Sequence, residues 1–337
     1  MKKRFFNPVR GFLLQPWATP SGVWRKCEGL VYKQGFPTGK IVLHSSKGIQ
    51  MPIFRALIFL LCPCLATAQG PLDGYLKGKG VLDLAPSFSF TTARKFEGAG
   101  GQTYDETYKG QMLSLFAEYG LSEKFDIVAM AAAVFTPLQS GLQDGGLFVK
   151  YRPIQVQLGN AGKLGAIVGT GATIPLSDYE PTTTGALGQK AITIPAKLIL
   201  QWESPLGLFL NFTSGYHFRL DELKEADVAR VRQLRPDYEP IDPQNFTTFL
   251  IKAGFPARHF YLDAWAEWQH TSGGADYVEN VPDLPQSYGV SYTQVGGTAY
   301  YSDNERTGFY CSGGYILHGR NTSRIQRITF GMVVKIG

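Results

Sequence analysis

The feature of this sequence that most constrains its fold is a two-residue periodicity in hydrophobicity, repeated along most of the chain. Between residues 111 and 119, one set of alternate side chains is apolar, whereas the other set is mixed and includes Glu118. Successive side chains of a β-strand point to opposite faces of a sheet, so this run predicts a strand with one apolar face. A short turn at residues 120–124 and a further alternating run predict a hairpin, and Gly146 to Arg152 predicts a third strand.

Similar runs recur and predict about twelve strands in all, joined alternately by tight turns and long polar loops. The tight turns are expected near residues 121, 160, 205, 256 and 304, and the long loops near residues 100, 140, 182, 232, 280 and 321. An even number of antiparallel strands with turns at one end and loops at the other is typical of an outer-membrane barrel. The sequence therefore predicts an all-β fold: a transmembrane antiparallel up-and-down β-barrel with short periplasmic turns and long extracellular loops.

Two further features belong to this prediction. Aromatic residues at strand ends predict an interfacial girdle, and they are Tyr119, Tyr151, Trp202, Trp268, Tyr300 and Tyr301. The long insert at 220–245 contains a charged segment from Leu220 to Leu234, which predicts a solvated helix within a loop.

The alternative is a large secreted β-sandwich, whose strands would also have one apolar face. The inner faces of a sandwich should carry few charges, whereas the less apolar strand faces here carry charges of both signs. We therefore favour the barrel and predict that these residues line a polar lumen. The candidates are Asp83, Glu118, Lys150, Arg152, Lys197, Arg219, Lys252, Asp263, Glu267 and Lys335.

Residues 51–68 have the composition of a secretory signal peptide. Arg55 supplies a short basic region, and residues 56–65 form an apolar stretch of the usual length. A small-residue motif ending at Ala68 predicts cleavage before Gln69. The chain is therefore expected to be exported to the bacterial outer membrane through a cleaved signal peptide.

Signal peptides stand at the start of a protein, yet this one begins at Met51. We therefore expect translation to start at Met51 and residues 1–50 to be a non-native upstream extension. The alternative is a genuine basic extension. The outer-membrane barrel is expected to comprise residues 69–337.

Composition excludes several other classes of protein. The sequence has no interior run of about 18 apolar residues, so a helical membrane protein is not predicted. Residues 69–337 carry 23 Lys and Arg against 26 Asp and Glu, a formal charge of −3, which leaves no basic surface for nucleic acid. Cys311 is the single cysteine after residue 69, and no Cys/His cluster has the spacing of a zinc site.

Two motifs carry a family resemblance. Residues 118–125 form a strand that closes on Tyr-Gly-Leu before a polar turn, and residues 144–152 enter a strand that ends Lys-Tyr-Arg. The run from Phe116 to Arg152 resembles the family of predicted outer-membrane transporters named for the meta-cleavage pathway of phenol degradation. This resemblance implies an outer-membrane barrel that passes small, often apolar, molecules, and it supplies no catalytic residues.

One end of the chain departs from a common barrel pattern. Bacterial barrels often end in an aromatic residue that the assembly machinery recognises, whereas this chain ends Lys335-Ile336-Gly337. The expected partners are outer-membrane lipid, the barrel assembly machinery and an unidentified small-molecule solute.

The sequence contains no motif of a serine hydrolase, a zinc protease or a nucleotide-binding loop, so no enzyme, cofactor or metal is predicted. The leading functional hypothesis is a channel or transporter with a narrow polar lumen, because about twelve strands leave less room than the 16–18 of a porin. The second is a structural or surface-binding barrel with a plugged lumen. The third is a barrel enzyme that uses Asp263, Glu267 and His270, which lie near one strand end on a lumenal or rim face.

Overall fold

The computed structural model describes residues 5–7, 12–14, 72–179, 190–220, 223, 225–279, 281, 283–302 and 306–337. Two short strands, Phe5–Asn7 and Phe12–Leu14, pair with each other. The signal segment at 51–68 and its cleavage site between Ala68 and Gln69 lie outside the described residues, as does most of the upstream extension. No helix in the described part of the chain is long and apolar enough to cross a membrane.

Twelve long antiparallel strands form one closed sheet, as predicted. They are β1 (Leu82–Glu97), β2 (Thr103–Ser122), β3 (Phe125–Phe135), β4 (Asp144–Gln157), β5 (Lys163–Pro175), β6 (Thr193–Glu203), β7 (Phe209–Arg219), β8 (Phe246–Pro256), β9 (Phe260–Thr271), β10 (Ser291–Tyr301), β11 (Thr307–Arg320) and β12 (Gln326–Ile336). Each strand pairs with the next in sequence, and β12 pairs with β1, where Phe330 lies opposite Phe88. This pairing closes the barrel.

The predicted alternation decides which side chains face outward. Every strand contributes at least one large exposed apolar side chain, whereas the alternate positions are buried and include many polar groups. On β2, for example, Leu113 and Leu115 are exposed while Glu118 is buried. An apolar exterior around a closed sheet with a partly polar interior is the arrangement of a barrel that spans the outer membrane.

The five turns at one end of the barrel are short, and in outer-membrane barrels this is the periplasmic end. The opposite end carries the longer loops, with two departures from the prediction. Strand β1 continues to Glu97 and β2 begins at Thr103, so the long loop expected near residue 100 is only residues 98–102. Residues 321–325 make a short connection, because Thr322–Ser323 pairs with β1.

The helix in the 220–245 insert, α1 (Glu225–Leu234), is shorter than predicted and is not solvated on all sides. Its side chains Val228 and Val231 are buried against Tyr238 and Leu284. Leu284 belongs to the connection between β9 and β10, so the two longest loops pack against each other. This contact was not predicted from the sequence, because α1 has few apolar residues and many charged ones.

The predicted aromatic girdle is wrong for one residue, Tyr300, which does not face outward. Tyr300 is buried inside the barrel beside Tyr261 and Phe209, whereas its neighbour Tyr301 is exposed. Adjacent residues of a strand must point to opposite faces, so only one of the two can reach lipid.

The lipid-facing assignment predicts a depth-dependent cost for charge on β12. Phe330 lies midway along the strand on the exposed face, so Phe330→Arg should reduce the free energy of unfolding by about 2–4 kcal/mol. Gln326 is exposed on the same face at the loop end, so Gln326→Arg should cost about 0–1 kcal/mol. Urea titrations of both variants in phosphatidylcholine vesicles measure the difference, and equal costs would contradict the assignment.

Candidate functional site

All ten charged residues predicted to line the lumen stand at strand positions whose side chains face the barrel interior. Six are buried, namely Asp83, Glu118, Lys150, Lys252, Asp263 and Glu267. Four are half-buried, namely Arg152, Lys197, Arg219 and Lys335. The structure divides them into a tight cluster near the turn end, around Glu118 and Lys150, and a looser set across β6–β9.

The turn end of the interior is filled by residues 72–80, which precede β1. Leu72 and Leu76 of this segment are buried against inward-facing apolar side chains of β3 to β6. Those side chains are Val128, Phe148, Ile167 and Ile199. In this part of the barrel the lumen is therefore not an open polar channel, because apolar side chains of four neighbouring strands and residues 72–80 pack together inside it.

Buried ion pairs attach this segment to the strands. The Lys150 ammonium contacts the Asp73 carboxylate at 2.8 Å, pairs with Glu118, and also donates to the carbonyl oxygen of Tyr75. Lys150 and Glu118 are fully buried. Because an unpaired buried charge is costly, the strand residues Lys150 and Glu118 depend on each other and on Asp73.

A second lysine of the segment completes this cluster. The Lys77 ammonium lies 2.5 Å from Asp83 and 3.7 Å from Glu118, and its backbone N–H donates to Asp126 at 2.7 Å. Asp126 was not among the predicted lumenal residues, because it stands next to the predicted turn at 120–124. Its position directly opposite Lys150 in the register of β3 and β4 is the signal that could have found it.

Glycines make room for the segment at three points along its path. A Cβ atom at Gly120 would collide with the carbonyl oxygen of Gly78, and one at Gly74 would collide with the Gln201 amide. At Gly169 a Cβ atom would lie 2.9 Å from the Leu72 side chain. The segment and the inner wall are therefore fitted to each other at backbone level.

The wall from β8 round to β1 is more polar. The Tyr261 hydroxyl donates to Asp263 at 2.9 Å, and the Lys252 ammonium lies 4.0 Å from the same carboxylate. Further round, the hydroxyls of Ser89 and Thr329 are 2.7 Å apart. This wall adds further hydrogen-bonding groups to those of the cluster around Lys150, so the interior combines the apolar side chains packed on Leu72 and Leu76 with polar and charged groups on several strands.

The three residues considered for a barrel enzyme do not come together. Asp263 and Glu267 face the interior, but His270 faces outward and is exposed. Residues 263 and 267 share a parity that residue 270 does not, so strand geometry separates them. Within the described residues, no group of three or more His, Cys, Asp or Glu side chains could hold a metal ion.

A groove of about 640 Å³ lies against the wall formed by β4 to β8, and we call it the lateral groove. Most of its lining residues have the outward parity, and they are Val149, Tyr151, Val168, Thr170, Ala196, Leu198, Ser214, Tyr216 and Thr247. Three residues of inward parity, Gly169, Lys197 and Gly215, also line it. At the two glycines a single layer of backbone separates the groove from interior side chains such as Leu72 and Thr248.

The wall is incompletely paired next to this groove. Strands β5 and β6 pair in register as far as Thr170 opposite Ala196, and the next pair is Thr173 opposite Thr193. The gap contains Pro195, which has no backbone N–H to donate. The lateral groove therefore adjoins a gap in the pairing of these two strands.

The sequence matches no established protein-family profile and no curated protein. Several solved structures are similar in three dimensions. An outer-membrane channel from Pseudomonas putida F1 covers 80% of this chain and 100% of its own, with a TM-score of 0.57 and 13% identity. The NanC porin covers 75% of this chain and 100% of its own, with a TM-score of 0.48 and 10% identity. The CymD monoaromatic hydrocarbon channel covers 76% of this chain and 88% of its own, with a TM-score of 0.36 and 11% identity.

The fold is that of an outer-membrane β-barrel. The apolar exterior, the closed twelve-stranded sheet and the likeness to the Pseudomonas putida F1 channel agree on this class. The protein is an outer-membrane β-barrel with its own residues 72–80 packed inside the turn end.

Removing Lys150 should destabilise the barrel strongly. Lys150→Met leaves Glu118 and Asp73 buried without their shared cation, which should cost about 3–5 kcal/mol. A matched control is Lys163→Met: Lys163 pairs with Glu203 at 2.9 Å in a more exposed position near the turn end, so its loss should cost about 0–1 kcal/mol. Urea unfolding in vesicles measures both costs.

The double variant Lys150→Met/Glu118→Met provides a further check on the ion pair. It removes the buried carboxylate of Glu118 together with the Lys150 ammonium that pairs with it, so it should be more stable than Lys150→Met alone. If the double variant is the less stable of the two, the pairing does not explain the cost.

Proposed function

We propose that this protein is an outer-membrane channel for small molecules, including apolar ones, and that they pass through the lateral groove and the barrel interior. The observation that carries the proposal is the lateral groove, whose lining is largely apolar and which a single layer of backbone separates from the interior at Gly169 and Gly215. A groove of this volume is in the range of small-molecule sites, about 300–1,000 Å³.

The filled turn end supports a narrow path rather than an open pore. Residues 72–80 pack inside the barrel there, so hydrated solutes would meet a buried ion-pair cluster and an apolar cluster. A small weakly polar solute loses less hydration on entering such a space. The amphipathic interior fits a solute of this kind better than a salt or a sugar.

The finer family assignment is also a proposal. The motifs at residues 118–125 and 144–152 form the hairpin and strand that hold Glu118 and Lys150, which anchor the inner segment. We infer membership of the transporter family named for the phenol meta-cleavage pathway from these motifs together with the barrel.

Filling the lateral groove should slow uptake. Ser214 lines the groove on β7, whereas Leu210 has the same outward parity on the same strand but does not line it. In Gram-negative cells producing the protein, Ser214→Trp should reduce uptake of labelled phenylacetamide several-fold, and Leu210→Trp should leave it unchanged. Equal uptake in cells with and without the protein would refute the channel.

A second candidate function is a structural or surface-binding barrel, favoured by the buried ion pairs that hold residues 72–80 in place. The packed loops around α1 would then be the working surface. On this hypothesis, deletion of residues 222–243 abolishes binding to a surface partner and leaves permeability unchanged. A conductance in planar bilayers that rises when residues 72–77 are deleted would favour the channel instead.

A further inference from the structure

Two opposite charges, Lys197 and Glu267, face the barrel interior without forming a salt bridge. Both have the inward parity of their strands, β6 and β9, and the Glu267 carboxylate is the charge that acts on Lys197. Among the described residues, no carboxylate lies within 4.0 Å of the Lys197 ammonium. Lys150, in contrast, contacts two carboxylates directly. Membrane-embedded charges normally pair with another group, so the separation of Lys197 from Glu267 is unusual.

One oxygen of the Glu267 carboxylate is hydrogen-bonded and the other is not. The Tyr292 hydroxyl of β10 donates to Oε1 at 3.1 Å. In the part of the chain that the structure describes, Oε2 accepts no hydrogen bond. The interior therefore holds an ammonium donor and a carboxylate acceptor that attract each other across a gap.

The inner face of the wall between these two residues leaves room and is partly apolar. Gly215 of β7 lies directly opposite Lys197 in the register and has no side chain, and a Cβ atom there would lie 3.1 Å from Lys197 Cγ. Leu250 of β8 lies directly opposite Glu267 and also faces inward. Leu250 and Tyr292 are half-buried rather than buried, so they adjoin a space inside the barrel. Lys197, Glu267 and Leu250 can therefore contact one molecule on the same face of the wall.

We propose that Lys197 and Glu267 together bind the carboxamide group of a small neutral amide inside the barrel. The amide oxygen accepts a hydrogen bond from the Lys197 ammonium, and the amide N–H donates to Oε2 of Glu267. The apolar body of the solute lies against Leu250. The proposal rests on the channel function and names the solute class that the channel prefers.

The opposite signs of the two charges favour a neutral amide over an ion. A carboxylate would bond to Lys197 but would place its own charge beside Glu267, and an amidinium would bond to Glu267 but would be repelled by Lys197. An amide carries an acceptor and a donor on neighbouring atoms, so it can bond to both residues without a net charge. Each of these hydrogen bonds involves a charged protein group and is therefore stronger than a neutral one.

Three probes of nearly the same shape test the proposal. At neutral pH phenylacetamide is uncharged, phenylacetate is an anion and phenylacetamidine is a cation. The full-length protein in phosphatidylcholine nanodiscs should bind phenylacetamide about tenfold more tightly than either ion, measured by calorimetry, because only the amide bonds to both residues without repulsion. Tighter binding of either ion by the unmodified protein would overturn the proposal.

Two variants should change the preference in opposite directions. Lys197→Met leaves Glu267 without the opposing cation, so this variant should bind phenylacetamidine most tightly. Glu267→Gln leaves Lys197 without the opposing carboxylate, so it should bind phenylacetate most tightly. Lys163→Met removes a lysine near the turn end and should keep the preference for phenylacetamide. Circular dichroism identifies the variants that have folded, and an unchanged preference for phenylacetamide in a folded Lys197→Met or Glu267→Gln variant would contradict the site.

The outcomes also separate this proposal from the channel function. If cells take up phenylacetamide through the protein but all three probes bind with equal affinity, the channel stands and the amide site is refuted. If the protein neither binds nor passes any of the three probes, the channel function itself fails.

Discussion

Backbone hydrogen bonding in lipid is the constraint on which the rest of this structure depends. A strand in the hydrocarbon layer has no water to satisfy its N–H and C=O groups, so a sheet can cross the layer only if its edges meet. Here they meet where β12 pairs with β1. Because apolar and polar residues alternate along each strand, the closed sheet has two different surfaces, one facing lipid and one enclosed. The enclosed surface can then hold charges such as Lys150 that lipid would exclude.

Inside the barrel, charge pairing determines which groups can be buried. Near the turn end, two lysines and four carboxylates are enclosed together, and residues of the inner segment supply Asp73 and Lys77. The strands alone would bury Asp83, Glu118 and Asp126 against Lys150, an excess of negative charge. The segment adds one cation, Lys77, and one carboxylate, Asp73, so it leaves the net charge of the cluster unchanged but gives Asp83 a cation and Lys150 a further carboxylate. The segment is therefore part of the electrostatic structure of the wall and not a separate filler.

The fold could be predicted from the sequence because strand parity is a local property that survives folding. Leu113 and Glu118 lie on the faces that alternation gives them, and all ten predicted charges have inward parity. The inner segment could not be predicted, because residues 72–80 are too short and too mixed to have a period. Their partners, such as Ile199, are distant in sequence. The same alternation explains two predictions that were wrong, because it puts Tyr300 and Tyr301 on opposite faces and His270 on the opposite face from Glu267.

The enclosed position of residues 72–80 has a consequence for the order of assembly. The segment precedes β1, yet it contacts side chains of β2 to β7, so the simplest order of assembly has those strands around the segment before β12 reaches β1. A barrel that closed first would have to admit Leu72 and Leu76 past buried charges at its turn end. Closure around the segment avoids that barrier. In that order, the pairing of β12 with β1 encloses residues 72–80 inside the barrel.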